Sequence, residues 1–145
     1  MNTISRFAPT VTRSLLGLIF FIFALNGFLH FIPQPPVPAA AGAFAGALAA
    51  TGYMWTLING VEVIAGALLL ANRFVPLALA LLAPSVVNIV LFHAMLAPGG
   101  LGIALFVLVL EVFTAWSHRA AYASMLQART PVKPTSVHEE AAAPV

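Results

Sequence analysis

Four apolar runs, residues 14–31, 52–71, 74–96 and 101–117, are separated only by short breaks rich in proline, glycine or asparagine. Each is close to the ~20 residues that a helix needs to cross a bilayer core. Of the 145 residues, 61% are apolar and 7% are charged, against about 25% charged in an ordinary soluble domain. The fold class that follows is all-α: a four-helix transmembrane bundle. Its domain map is a polar start at residues 1–13, a membrane domain at 14–118 and a tail at 119–145.

The breaks are as informative as the runs. The segment IPQPPVP after the first run cannot continue a helix, since proline removes donors and restricts the residue before it. The stretch AAAGAFAGALAA that follows has helical propensity but is too short to span. It predicts a short extra outer helix lying on the bundle between spans 1 and 2, with a re-entrant lid as the rival reading. Its Gly42-x-x-x-Gly46 is a close-packing spacing. Tyr53 and Trp55 anchor the second span at an interface, Asn72-Arg73 make a tight turn, and Pro84 is expected to kink the third span. A cleavable signal peptide competes for the first run, with residues 39–41 as the cleavage-like site. That run exceeds the 7–15 residues of a signal core, which favours a retained helix.

Charge sets the orientation. The formal net charge is +2 and the pI about 9.7, yet Arg6, Arg13, Arg73, Arg119, Arg129 and Lys133 are scattered, so they point to membrane topology and not to nucleic acid. All six fall on one side of the four runs. The positive-inside rule then places both termini in the cytoplasm of a multi-pass protein of the cell membrane. The residues beyond 129 are Pro- and Ala-rich and are expected to be disordered. The chain has no cysteine, which excludes a disulfide framework, thiolate metal sites and dithiol chemistry by the chain itself.

Polar residues inside the runs are the candidates for function. Glu62 lies near the middle of the second span, and a lone acid there costs roughly 2.5–3.5 kcal/mol on insertion scales. The nearest cation in sequence, Arg73, is eleven residues on, roughly 16 Å along the axis. Glu62 is therefore the candidate proton-exchanging, catalytic group, against the plainer reading of a hydrogen-bonded packing residue. His30 and His93 fall at the outer ends of spans 1 and 3, Asn26, Asn59 and Asn88 about a turn deeper, and Glu111 near the midplane. Together they suggest an outward-opening polar shaft in which these six are ligand-binding residues. Spans 1 and 3 each carry Asn then His, and spans 2 and 4 each carry one Glu, a weak internal repeat. For the asparagines, interhelical bonding at about 0.6 kcal/mol each is the first expectation. Arg119 lies two turns below Glu111 and is expected to draw its carboxyl group towards the cytoplasmic interface. The two histidines raise the possibility of axial haem ligation, but the outer loops hold no cation for propionates, so hydrogen bonding is preferred. No metal-ligand spacing, phosphate loop or nucleophile triad is present.

The segments LIFFIFALNGFLHFIP, ATGYMWTLINGVEVIAGALLLANRFVPLALALLAP and VNIVLFHAMLAPGGL resemble the DoxX family, from Arg13 to about Leu126. Its most specific pieces here are Glu62-x-x-x-Gly66 and the VNIVLFH run. The resemblance implies a small four-helix integral membrane protein with a quinone-linked or redox-associated role, some members being subunits of thiosulfate:quinone oxidoreductases. It supplies no catalytic residues.

The resulting expectation is a redox-associated membrane subunit that binds a quinone or similar lipophilic molecule in the outer half of the bundle. Its partners would be the lipid bilayer and a redox enzyme or a second copy of the chain, with electrons supplied from outside. A proton-coupled carrier and a structural membrane anchor are the rival classes.

Overall fold

In the computed structural model, residues 3–123 and 128 are described, and the expected disordered tail beyond 129 lies outside them. The chain forms α1 (Thr3–Leu29), α2 (Ala39–Ala50), α3 (Met54–Leu70), α4 (Val75–Met95), a 3-10 turn (Pro98–Gly100), α5 (Leu101–Ser117) and the single turn α6 (Arg119–Tyr122). No strand occurs among the described residues. Three segments are long and apolar enough to cross a membrane: Phe7–Leu29, Val75–Met95 and Pro98–Ser117. A fourth arises only if α2 and α3, which meet at a 93° bend, are taken together as one broken span.

Only 28% of each long segment is buried within the protein. The outward surface is apolar, with Ile103 and Met95 each 75% exposed. Such a surface, continuous round the helices, suits acyl chains as its solvent. A narrow core of Leu16, Phe20, Leu69, Leu79, Leu82 and Val86 lies inside. Packing partners run in a ring: α1 lies most extensively against α3, α3 against α4, α4 against α5, and α5 against α1. Successive long helices are antiparallel. The α1 start, the α3–α4 turn and the α5 end thus share one end, called here the termini end. The other, with α2 and the 3-10 turn, is the loop end.

Helix boundaries follow from local chemistry. The first helix starts at Thr3, ahead of the apolar run, and continues through Pro9. It stops at His30, whose φ of 53° is left-handed and whose amide donates to the Asn26 carbonyl at 2.9 Å, an αL end of the kind glycine usually makes. The third helix closes with Asn72 at φ 54°. The Asn72 amide bonds Leu69 O at 3.2 Å and the Arg73 amide bonds Leu68 O at 2.9 Å, the paired bonds of a Schellman cap. At the bend, the Thr51 hydroxyl donates to Leu48 O at 2.7 Å and accepts from the Met54 amide at 3.0 Å. Helix α4 continues through Pro84, the position at which the sequence placed a kink.

The close helix crossing is not where the Gly-x-x-x-Gly pattern put it. No atom approaches within 4 Å of where a Gly46 side chain would begin, and Gly42 meets only Val37 at 3.8 Å. Gly17 of α1 and Gly66 of α3 form the tight contact instead. The termini end is pinned by polar bonds. Arg13, nearly buried, donates to the Leu69 carbonyl. Thr114 bonds Thr12 at 3.3 Å, and the Tyr122 hydroxyl donates to Pro76 O at 2.9 Å. Arg13 thus ties α1 to the last turn of α3.

Candidate functional site

A cavity of about 420 Å3 opens at the loop end, between α3 and α4 and beneath α2. Its polar side is Asn59 and Glu62 from α3 with Ser85 and Asn88 from α4. The arrangement is a consequence of spacing: 59 and 62, like 85 and 88, are three residues apart and so share a helix face. The two faces meet because α3 and α4 are antiparallel neighbours. Phe44 and Leu48 from α2, Trp55 from α3, and Phe92 from α4 supply apolar walls. Phe44 and Phe92 pack with ring centroids 5.8 Å apart, holding α2 over the site.

Glu62 is half-buried and the Ser85 hydroxyl stands beside its carboxyl group. Among the described residues no ion pair reaches it, so its polar company is hydroxyl and amide. Asn88 is exposed to the cavity. Asn59 is buried and its amide donates to the Trp55 carbonyl at 2.7 Å, while the Trp55 indole donates to Gly27 O at 3.3 Å. Asn59 therefore serves both the α1–α3 seam and the cavity wall. The volume and the mix of a few polar groups among aromatic walls are those of a small-molecule site. Chemically it offers a carboxyl group able to exchange a proton, plus neutral groups able to orient a carbonyl or hydroxyl oxygen.

The other candidates lie elsewhere. Asn26 is buried, accepts from the Ile32 amide at 2.6 Å and donates to its carbonyl at 3.4 Å, so it ties down the chain leaving α1. His30 is exposed and forms the left-handed end of α1. His93 turns back on α4, its Nδ1 2.9 Å from the Ile89 carbonyl, with its ring against Phe92 and Gly100. Neither histidine lines the Glu62 cavity. Glu111 lines a separate cavity at the termini end, apart from Asn59, Glu62 and Asn88, where a single shaft was expected. Arg119 does not reach Glu111: it donates to the Trp116 carbonyl at 3.1 Å and lies 5.4 Å from that indole's centre. Among the described residues no cluster of three or more His, Cys, Asp or Glu is gathered for a metal.

Sequence reasoning missed Ser85 and the aromatic walls. The signal for Ser85 was present, a hydroxyl three residues before Asn88. For Phe44 and Phe92 no signal distinguishes them from lipid-facing phenylalanines. No family model, no curated protein and no solved structure matches the chain.

Proposed function

We propose that this is a DoxX-like, redox-associated protein of the cell membrane, a four-helix transmembrane bundle with cytoplasmic termini, and that the Glu62 cavity binds a quinone or a similar oxygen-bearing lipophilic molecule. The observation that carries this reading is the meeting of Glu62, Asn59, Ser85 and Asn88 beneath an aromatic roof. A quinone head is flat and apolar on its faces, with acceptor oxygens at its edges. Aromatic walls suit the faces, and the Ser85 hydroxyl and Asn88 amide suit the oxygens. Glu62 is placed to give or take the proton that accompanies a change of redox state. Electrons would come from a partner oxidoreductase.

The test is a titration of a short-chain quinone against the full chain carrying Trp116→Phe in nanodiscs, followed by Trp55 fluorescence. Saturable quenching is expected, with Glu62→Gln and Asn88→Ala each weakening it about tenfold, the loss of one hydrogen bond to a buried site. Quenching indifferent to both substitutions would refute the assignment. Proton-coupled flux of a solute through reconstituted liposomes, without quinone binding, would instead make the chain a carrier.

A further inference from the structure

The second cavity is a groove of about 560 Å3 between α4 and α5 at the termini end. We propose that it binds a lipophilic amine, with the ammonium head held by Glu111 and the apolar body lying along the groove. This does not rest on the quinone reading, which concerns other residues at the opposite end.

Glu111 is only 6% exposed, and its Oε1 has no hydrogen-bond partner. Buried polar atoms are nearly always partnered, so an orphaned carboxyl oxygen in the wall of a cavity calls for an explanation. The polar groups around it are engaged elsewhere. The Thr114 hydroxyl donates to Leu110 O at 2.7 Å, Arg119 is held by Trp116, and the Tyr122 hydroxyl is given to Pro76. Among the described residues, no Lys, Arg or His forms an ion pair with it. A donor that carries positive charge would complete the site electrically as well as sterically.

The rest of the groove selects the body of the ligand. Leu79, Val86, Leu108 and Val112 make its walls apolar. Val87, Val112 and Trp116 on its rim are exposed on the surface that faces lipid. A molecule dissolved in the bilayer can therefore enter sideways with its chain still among acyl chains. A neutral alcohol offers the same shape and a donor but no charge, so the contrast between amine and alcohol isolates the part played by Glu111.

The experiment is native mass spectrometry of the full chain in detergent, titrated with dodecylamine or dodecanol. One saturable dodecylamine adduct is expected, with dodecanol binding far more weakly. Glu111→Gln should weaken the amine adduct roughly thirtyfold or more, as for loss of one partner of a buried charge pair. Glu111→Asp, which keeps the charge, should retain most of the binding, and Glu62→Gln should leave it in place. Melting curves of each variant show whether the fold survives, and Glu111→Asp provides the reading if Glu111→Gln does not fold. Equal binding of amine and alcohol, undiminished binding in Glu111→Gln, or loss in Glu62→Gln would each overturn the proposal.

Discussion

Gly17 and Gly66 face each other where α1 crosses α3, so closely that neither position has room for a side chain. A Cβ on Gly66 would stand 2.7 Å from the Phe21 nitrogen and 3.0 Å from the Gly17 carbonyl oxygen. One on Gly17 would meet the Leu69 Cβ at 2.9 Å and the Gly66 carbonyl oxygen at 3.1 Å. Between lipid-facing helices the hydrophobic effect gives little drive to associate, so close backbone packing of this kind carries much of the stability.

Gly66→Ala should therefore destabilise the protein by about 1–3 kcal/mol, since the atoms in the way are backbone and cannot rotate aside. Gly46→Ala, in open space on α2, should be neutral or slightly stabilising. Unfolding of the two variants in mixed micelles compares them directly, and equal effects would mean that the α1–α3 crossing is not tight.

Arg13→Gln removes a charged donor from the Leu69 carbonyl at the end of α3. A hydrogen bond to a charged group is worth about 1.5–3 kcal/mol, and a loss of that order is expected. Arg13→Lys should recover part of it, because an ammonium on a long stem can still reach a terminal carbonyl. Thermal unfolding of the three proteins decides whether Arg13 acts as a cap or as a topology charge alone.

His30→Gly tests the residue as backbone. A non-glycine residue at a left-handed φ costs about 1–2 kcal/mol, and glycine recovers most of that while losing about 0.5–1 kcal/mol of chain entropy. Stability should stay level or rise slightly, and binding at the Glu62 cavity should not change. A fall in ligand affinity would return His30 to the site.

Reporter fusions after Arg73 and after Arg129 should both report cytoplasm, since every Arg and Lys lies on that side of the four apolar runs. External signals at both points would leave three crossings, with α2 and α3 failing to make one between them.

Much of the site was legible as depth and little of it as direction. The helical rise ranks Glu62, Asn59 and Asn88 along the membrane normal from sequence alone, and those three do meet in one cavity. The direction a residue faces needs an apolar stripe set against a polar one. Helices bathed in lipid are apolar on every side, so Glu111 was grouped with Glu62 although it serves a different groove. His30 shows something else: it takes the left-handed angle at the end of α1, which a histidine does not advertise. Arg13 carried two meanings, and the electrostatic one concealed the contact with Leu69.

At 17 residues, α3 is about 25 Å long, several ångströms short of a typical hydrocarbon core. If α3 crosses as part of a broken span with α2, it cannot lean over to fit, so the bilayer would have to thin around it or its flanks would have to sink. The flank on one side is α2, joined through the Thr51 bonds and forming part of the wall of the Glu62 cavity. In that arrangement membrane thickness would load the bend between α2 and α3. A thicker bilayer would then pull on α2, whose Phe44 and Leu48 wall the Glu62 cavity.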